Sequence, residues 1–426
     1  MCSAHSPMVV LGGGGAGLRA AMCAAQEGVK VTLLEKCAEP SGKTGMSIGI
    51  MTASGTAIQR EAGIEDSHAR HLADIERMAA AAGTGINLKG TKFLLRECNR
   101  ELAELMGMGI KFTGPFPEGP HGTPRLHVVQ PDCEDLIDIL IRACKGRGVN
   151  IICQAAGRDL VMDHNGQVAG VVAEIEGQTR YIGAGAVVLA AGDYSADAEF
   201  LNKVAPNAKR AEPLSDFATG DGHKMAMRVG AATQNMDKVN APQLRFTQAP
   251  FVEPAPGLFG AGARLVTRGG ESVATIMGPS AELPGYENRA EDFFIVIDGL
   301  SADRLAKASD DTGQSEGRGP ARDGWMLTNK PFIGTAPGVG YAYLEDCRDW
   351  PWYHLAQDVD GVAAHMICGA EALSETIGAN SPHPLAEGPL HVLGPARRCV
   401  TNSGGGLTTN QRLNVMATNG KPIAGL

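Results

Sequence analysis

The segment MVVLGGGGAGLRAAMCAAQEGVKVTLLEK, which spans residues 8–36, decides the fold. It begins with four apolar residues that favour a β-strand, enters a glycine-rich turn at residues 12–17 and continues as an alanine-rich stretch of helical composition. Gly28 is typical of the position just beyond a helix C-terminus, and a second β-branched run leads to Glu35. The order strand, glycine turn, helix, strand and acid predicts a βαβ unit of the dinucleotide-binding type.

The spacing of the glycines predicts a role for each of them. Gly12, Gly14 and Gly17 satisfy the pattern GxGxxG, in which the first glycine permits the tight turn, the second lets the backbone approach a pyrophosphate, and the third lets helix and strand pack closely. The helix N-terminus offers N–H groups and the positive end of its dipole to the phosphates. Glu35 lies where an acid accepts hydrogen bonds from the adenosine ribose. Because NAD and FAD share this fingerprint, the turn alone leaves the choice of dinucleotide open.

The composition of the 426 residues is that of an ordinary globular protein, with 43% hydrophobic and 20% charged residues. The net charge of −9 argues against a general affinity for nucleic acid or for an anionic membrane. The ten cysteines are scattered, so there is neither a CxxC redox pair nor a zinc-ribbon spacing, and this usage fits reduced thiols in a cytoplasmic protein. We find no secretory signal and no apolar run of roughly 18 residues, so we expect no membrane span.

The rest of the N-terminal half predicts helices followed by a β-meander. Residues 56–112 have mostly helical composition, and a loop rich in Pro and Gly occupies residues 114–124. A further helix and a strand at 149–153 come next. Residues 186–190 predict a separate, buried parallel strand. Good hairpin turns separate three short β-rich runs, at 160–162, 168–175 and 179–182.

Five later segments bear on the choice between the dinucleotides. Small residues in the first of them would let backbone amides line a pyrophosphate and a flavin ring. In order and spacing, the five resemble the flavoprotein subunit family of fumarate reductase and succinate dehydrogenase, which includes soluble fumarate reductases, aspartate oxidase and ketosteroid dehydrogenases. The segments are PSGKTGMS at 40–47, VVLAAGD at 187–193, ATGDGHKMA at 218–226, TNSGGGL at 401–407 and NGKPIAGL at 419–426.

The resemblance implies an α/β fold, in which a Rossmann-like FAD-binding domain with a β-meander is interrupted by an α+β capping domain. The predicted boundaries are 1–237 for the first part of the FAD-binding domain, 238–384 for the capping domain and 385–426 for the returning, incomplete part of the FAD-binding domain. Within the capping domain, one strand at 293–297 is clear from its apolar, aromatic-rich run. A polar, glycine-rich excursion is expected at 301–324.

The resemblance also implies FAD as the cofactor and places its contacts in the matching segments. Lys43 stands where family members commonly have a polar amide, close to the histidine of members that bind flavin covalently. Because a lysine cannot form that bond, we expect noncovalent FAD. The predicted cofactor-binding residues are Gly12, Gly14, Gly15, Ala16, Gly17, Glu35, Lys36, Ser41, Gly42, Lys43, Thr44, Met46, Ser47, Ala155, Ala191, Gly192, Asp221, Gly405 and Leu407.

The family's reaction adds or removes hydrogen across a C–C bond beside a carbonyl or carboxylate. Hydride passes through flavin N5 and a general acid or base handles the proton. The implied substrate is a small enone or unsaturated acid. The chain departs from the fumarate-reducing members: their two histidines are absent from residues 239–243 and 399–403, and their arginine and glutamate pattern is not evident at residues 268–278. The candidate catalytic replacements are His391, Arg289 and Arg264, with a solvated surface position as the alternative for each arginine.

Other polar residues have more than one interpretation. Arg397 and Arg398 either meet an anionic substrate or face water. Asp221 is predicted as the N-cap of a helix that begins at His223, and the family places it beside the cofactor as well. No metal site is predicted, because the sequence offers no convincing ligand set.

The family pattern continues beyond the phrase that matches NGKPIAGL, with a strand, a small-residue turn and a helix whose N-terminus stabilises negative charge on the reduced flavin. The given sequence ends at Leu426. The expectations are a truncated chain, a complementing second chain, or a catalytically silent FAD-binding protein. An electron-transfer partner is a further expectation, and a NAD-dependent dehydrogenase is the least favoured alternative.

Overall fold

The chain divides into two compact units. The first unit comprises Met1–Val204, Ser215–Lys238 and Asn402–Leu426, and the second unit comprises Ala205–Leu214 and Val239–Thr401. The computed structural model describes residues 4–47, 49–81, 83–117, 121–208, 211–240, 243–248, 262–273, 292–302, 344, 348–378, 385 and 389–426.

The described residues form helices and strands as follows. In the first unit the helices are α1 (Gly15–Gln26), α2 (Gly42–Gly45), α3 (Ala57–Glu61), α4 (His68–Ala81), α5 (Leu88–Gly107), α6 (Cys133–Gly146), α7 (Ala198–Val204) and α8 (Asp221–Arg228). Its strands are β1 (Ala4–Leu11), β2 (Val31–Leu34), β3 (Ile50–Thr52), β4 (Lys111–Phe116), β5 (Leu126–Gln130), β6 (Asn150–Ile152), β7 (Ala155–Met162), β8 (Val168–Ile175), β9 (Gln178–Leu189), β11 (Thr233–Gln234), β19 (Asn402–Ser403) and β20 (Gly406–Leu407).

The second unit contributes a 3₁₀ turn (Pro206–Ala208) and the helices α9 (Val359–Met366) and α10 (Ala370–Ile377). Its strands are β10 (Glu212–Pro213), β12 (Val239–Asn240), β13 (Gln243–Phe246), β14 (Arg264–Thr267), β15 (Ser272–Val273), β16 (Phe293–Asp298), β17 (Tyr353–Ala356) and β18 (Leu390–Val400).

A six-stranded sheet in the order β6-β2-β1-β9-β8-β7 forms the centre of the first unit. β1 lies between two parallel neighbours, so that Leu11 is opposite Leu34 on one side and Leu189 on the other. Val10 and Leu11 are adjacent in sequence and belong to separate buried clusters, as expected of a parallel strand covered on both faces. α1 connects β1 to β2 and buries Leu18 completely. The predicted βαβ unit and α/β fold class are confirmed.

The prediction of two separate strands in the region of β9 is wrong. The predicted strands at 179–182 and 186–190 are one continuous strand, Gln178–Leu189. This strand pairs antiparallel with β8 and parallel with β1, and Ile182 takes part in both ladders, opposite Val171 and Ala4. Gly183, Ala184 and Gly185 carry too little side chain to show an alternating pattern, yet the strand runs through them without a break.

A small sheet in the order β3-β5-β4 includes residues that were predicted to form a loop. Residues 114–124 were expected to be a loop, but β4 extends to Phe116, which lies opposite Leu126. The Gly114–Pro115 pair that suggested a loop coincides with a register shift between Thr113 and Phe116, so the strand bends and continues beyond the pair.

Arg125 lies at the centre of a largely buried ionic cluster in the first unit. Its guanidinium donates two hydrogen bonds to Asp66, at 2.7 and 2.9 Å, and a third to Asp74. The side chains of Arg125 and Asp66 are 0% exposed and that of Asp74 is 9% exposed. Burial alone would raise the pKa of both carboxyls, but the hydrogen bonds from Arg125 hold each pKa below its ordinary value. His71 packs nearby, and burial together with Arg125 lowers its pKa to about 4.

The second unit is built on a seven-stranded sheet whose longest strand is β18. β13, β16 and β17 each pair antiparallel with β18. One buried cluster of this unit contains Phe246 stacked on Trp352 at 4.4 Å between ring centroids. A second cluster contains Met366 of α9 and Leu373 of α10.

The chain passes from the first unit to the second after Val204 and again after Lys238. Residues 205–214, which were expected in the first part of the FAD-binding domain, group with the second unit. Residues 385–401, which were expected in the returning FAD-binding segment, group with the second unit because β18 is part of its sheet. The excursion predicted at 301–324 falls almost wholly outside the described residues. In the described part of the chain, no helix is long and apolar enough to cross a membrane.

Candidate functional site

A cavity of about 370 Å³ opens in the first unit beside the carboxyl ends of β1, β2 and β9. This is the edge of a parallel sheet at which ligands bind in open α/β folds. The lining residues come from the glycine turn, the second glycine segment, the ends of β1, β2 and β9, the start of β7, α8 and the turn before it, and the start of β19. They are Leu11, Gly12, Gly14, Gly15, Ala16, Leu34, Glu35, Lys36, Gly42, Lys43, Thr44, Ala155, Gly157, Ala190, Ala191, Gly192, Asp193, Phe217, Ala218, Asp221, Met225 and Asn402.

Each of the three glycines of the fingerprint is needed at its position for a different structural reason. Gly12 has a φ of +107°, and a Cβ there would lie 2.3 Å from the carbonyl oxygen of Ala190. A Cβ on Gly17 would lie 1.9 Å from the carbonyl oxygen of Gly12, so the helix could not pack as closely. A Cβ on Gly14 would meet the protein only at 3.8 Å or more. Gly12 and Gly17 are therefore required by packing, whereas Gly14 keeps the lining of the cavity open.

Backbone amides at the glycine turn hold two side chains in place. The Gly13 N–H donates to Glu35 Oε2 at 2.6 Å, and the Cys37 N–H donates to Glu35 Oε1 at 2.7 Å. Glu35 is only 6% exposed, yet it lines the cavity and its fixed carboxylate can still accept hydrogen bonds there. The Gly15 N–H donates to Thr44 Oγ1 at 3.1 Å, which joins the second glycine segment to the start of α1.

Lys36 and the TGDG turn form a polar group at the Glu35 end of the cavity. Lys36 Nζ donates to Thr219 Oγ1 at 2.7 Å and to Asp221 Oδ2 at 2.8 Å. The prediction that Asp221 is an N-cap is wrong, because Asp221 is the first residue of α8 and the N-cap is Gly220, in the left-handed conformation with a φ of 72°. The carboxylate of Asp221 is consequently directed to Lys36 rather than to its own helix.

Asp193 connects three segments of the chain beside the cavity. Lys43 Nζ donates to its two carboxylate oxygens, at 2.9 and 3.1 Å, and to Ser195 Oγ at 2.7 Å. The Ser403 N–H donates to the same carboxylate at 3.2 Å. Burial lowers the pKa of the nearby His223, against the opposing effect of Asp193, so His223 is neutral at pH 7. Asp193 was not among the predicted cofactor-binding residues, although its position three residues after the strand predicted at 186–190 was a signal.

Most of the predicted cofactor-binding residues line this one cavity, and the others lie elsewhere in the first unit. Gly17 is buried in the packing of α1. Ser41 and Met46 flank α2 as its N-cap and C-cap. Ser47 Oγ lies 3.3 Å from Cys133 Sγ. Gly405 packs against the backbone of residue 235, and Leu407 pairs with Thr233 in the β11–β20 ladder.

The candidate catalytic residues belong to the second unit. His391 lies on β18, and its Nδ1 is 2.9 Å from Tyr353 Oη in a hydrogen bond. Arg264 is the first residue of β14 and donates from its guanidinium to the carbonyl oxygen of Gly262 at 2.7 Å. Arg289 lies outside the described residues.

The two arginines with alternative interpretations belong to the second unit as well. Arg397 forms ion pairs with Asp292 at 2.5 Å and Glu212 at 2.8 Å, which hold it within the sheet. Arg398 is 9% exposed, so facing water is not its role.

The cavity of the first unit suits a dinucleotide by the chemistry of its own residues. The N-terminus of α1 offers N–H groups and the positive end of its dipole to a pyrophosphate, and Glu35 offers an acceptor to a ribose hydroxyl. The absent Cβ of Gly14 leaves open a position that any other residue would fill. The residues present therefore fit FAD.

The family model described as an FAD binding domain matches residues 8–426. The chain belongs to this family. FAD is accordingly its cofactor, and the resemblance to the fumarate reductase and succinate dehydrogenase flavoproteins is confirmed.

Individual relatives agree with the family assignment. A probable fumarate reductase of Shewanella frigidimarina is 29% identical over 245 residues, which are 56% of this chain and 41% of that protein. A urocanate reductase of Eggerthella lenta is 30% identical over 245 residues, which are 54% of this chain and 39% of that protein. The matched segments thus span well under half of these curated relatives.

A solved structure extends the likeness to the whole chain. The open conformation of a flavocytochrome c3 fumarate reductase superposes with a TM-score of 0.80 at 20% identity, and the match covers 100% of this chain and 72% of that chain. At this identity the likeness shows a shared fold.

Proposed function

We propose that this protein is an FAD-dependent oxidoreductase that adds or removes hydrogen across a C–C bond beside a carbonyl or carboxylate group. The observation that carries the proposal is the cavity of the first unit, where Glu35, the glycine turn and the second glycine segment are brought together. Relatives of this FAD-binding family are named fumarate reductase and urocanate reductase, which supports small unsaturated acids as the substrate class. A small enone is the other substrate that we propose.

The residues of the first unit are proposed to bind and orient the cofactor. The glycine turn and the N-terminus of α1 hold the pyrophosphate, and Glu35 accepts hydrogen bonds from the ribose of the adenosine. When bound, FAD supplies the two-electron chemistry of hydride transfer. Lys43 has no chemistry for a covalent flavin link, so we propose that FAD is held noncovalently. Heat or acid denaturation should then release all flavin into the supernatant.

The second unit is proposed to bind the substrate and handle its proton. In the pair formed by Tyr353 and His391, two groups that can exchange a proton share a hydrogen bond of 2.9 Å. Such a pair can deliver a proton to a substrate carbon or remove one from it. Arg264 is proposed to bind a substrate carboxylate, and Arg289 keeps the same proposed role. An electron-transfer partner or a complementing chain also remains a proposal.

The experiment uses the full chain purified in the presence of FAD and passed through gel filtration. We expect a yellow protein whose flavin is reduced by dithionite in the absence of oxygen. The reduced flavin should then be reoxidised by one class of acceptor, either the unsaturated acids fumarate and urocanate or a ketosteroid enone. A colourless protein that takes up no added FAD would contradict the proposal at its first step. Reduced flavin that no acceptor of either class reoxidises would favour a catalytically silent FAD-binding protein. The absence of the family's histidine from residues 239–243 is the observation behind this second candidate.

The role of His391 is tested separately with a matched control. His391→Gln is expected to lower kcat by about a hundredfold or more, as is common when a general acid or base is removed, with little change in FAD occupancy. His164→Gln changes an exposed histidine in the hairpin between β7 and β8 and should leave kcat unchanged. Equal rates for the two variants would show that His391 handles no proton.

A further inference from the structure

Lys43 and Asp193 form an ion pair that lies in the lining of the cofactor cavity itself. The two side chains are 21% and 14% exposed, so both charges are largely removed from water. Lys43 directly follows Gly42, on which a Cβ would lie 3.1 Å from the Cα of Gly14 in the glycine turn. The pair therefore lies in the cavity lining beside the segment that packs against the glycine turn, where the pyrophosphate is expected to bind.

A carboxylate is an unfavourable group to place beside a pyrophosphate. Asp193 is nevertheless useful to the fold, because it accepts hydrogen bonds from the Ser195 N–H at 3.1 Å, from Ser195 Oγ at 2.9 Å and from the Ser403 N–H at 3.2 Å. It thereby attaches the returning segment of the first unit to the end of β9. This attachment places a negative charge in the lining of the cofactor cavity.

We infer that Lys43 cancels the charge of Asp193 and so allows the pyrophosphate of FAD to bind, while Asp193 in turn limits the positive charge that Lys43 presents to the cofactor. Lys43 and Asp193 are thus a charge-compensated pair that sets the affinity for FAD. The inference requires that the family cofactor binds in this cavity, and it does not depend on the reaction proposed above.

This arrangement predicts effects of opposite sign for the two partners. Lys43→Met leaves the carboxylate uncompensated and should weaken FAD binding about ten- to a hundredfold, the usual range for losing a charge-assisted contact. Asp193→Asn removes the negative charge and keeps one oxygen that can accept the hydrogen bonds from Ser195, although an amide nitrogen replaces the oxygen that accepts from the Ser403 N–H. Because this variant releases Lys43 toward the phosphates, FAD should bind as tightly as in the wild type or more tightly. The double variant should recover most of the affinity lost by Lys43→Met.

The dissociation constant for FAD, measured by flavin fluorescence at low and high salt, is the readout. The defect of Lys43→Met should shrink at high salt, because salt screens the repulsion between carboxylate and phosphate. ADP-ribose, which retains the pyrophosphate and lacks the flavin, should show the same dependence on Lys43. A loss confined to FAD would place the interaction at the flavin and overturn the inference.

A matched control distinguishes charge compensation from a general effect on the fold. Lys224 and Asp197 form another lysine–aspartate ion pair of the first unit, with side chains 30% and 24% exposed, away from the cavity lining. Lys224→Met and Asp197→Asn should leave the dissociation constant unchanged. If Lys43→Met and Asp193→Asn both weaken FAD binding and the double variant is worse than either, the pair is structural and the inference is wrong. A wild-type protein that binds no FAD would instead contradict the cofactor assignment.

Discussion

Replacing Arg125 with methionine is expected to lower the free energy of unfolding by about 3 kcal/mol at pH 7, because it leaves the buried charge of Asp66 without its cationic partner, whereas Asp74 keeps its ion pair with Arg77. Asp66 would lose both of its hydrogen bonds from Arg125, and Asp74 would lose one. The expected loss lies at the lower end of the usual range because other donors remain. The Gly122 N–H still donates to Asp74 at 3.0 Å, and Gln59 still donates to Asp66 at 2.9 Å.

The size of the loss should depend on pH in a defined direction. The pKa values of Asp66 and Asp74 are lowered in the folded protein, so their contribution to stability is present above their unfolded pKa and is lost as the pH falls through the folded values. In Arg125→Met the two carboxyls take up protons more readily and become neutral in place. The difference in unfolding free energy between wild type and variant should therefore narrow below about pH 4.

Urea titrations followed by far-UV circular dichroism at pH 7 and at pH 4 or below measure both quantities. The control is Arg158→Met, which breaks an exposed ion pair with Glu174 of 2.9 Å and should cost less than about 1 kcal/mol at either pH. An Arg125→Met variant that is no less stable than this control at pH 7, or whose deficit is the same at both pH values, would refute the reasoning.

Three further predictions concern single residues of the first unit. Gly14→Ala should weaken FAD binding tenfold or more and leave the urea midpoint of unfolding unchanged. Gly17→Ala should lower the urea midpoint, because its Cβ would lie 1.9 Å from a backbone oxygen. Wild-type FAD affinity in Gly14→Ala would contradict the role assigned to Gly14. The pKa of His71 is lowered to about 4, so the free energy of unfolding of the wild type should fall as the pH drops from 6.5 toward 4. His71→Gln should remove up to about 3 kcal/mol of that loss, as measured by urea titrations across this pH range. If the unfolding free energies of wild type and variant change equally with pH, the prediction is wrong. Burial raises the pKa of Cys144 to about 11, so iodoacetamide at pH 8 should leave this thiol unmodified and should modify the exposed Cys23, as detected by mass spectrometry. Modification of Cys144 in the folded protein would contradict its burial.

The βαβ unit could be predicted from the sequence because its signals are local. The apolar run before Gly12, the glycine spacing and Glu35 lie within one short segment, and each has a physical reason that needs no distant residue. The strands of the meander were likewise visible from their hairpin turns. β9 was divided in two because the small residues at 183–185 carry no pattern, although the backbone pairing that continues through them is strong.

Side-chain partners from distant parts of the chain could not be predicted. Lys43 is 150 residues from Asp193, and no local pattern announces that they meet. No signal in the sequence indicated the role of Arg125, whose burial depends on carboxylates that lie 59 and 51 residues earlier in the chain. Asp221 was assigned to its own helix by a sound local rule, but the tertiary contact with Lys36 directs its carboxylate elsewhere. Such partners become visible only when the fold brings their elements together.

The continuity of β9 constrains which insertions and deletions the first unit can accept. Residues may be added at the turn around Gly177, which lies between β8 and β9 outside both ladders. Removing one residue from 183–185 would instead send every later side chain of the strand to the opposite face of the sheet. Val187 would leave its buried cluster, and the segment from Ala190 to Asp193 would enter the cavity lining in the wrong orientation. Length variation among homologues of this chain should therefore collect at the hairpin and be absent from the three small residues.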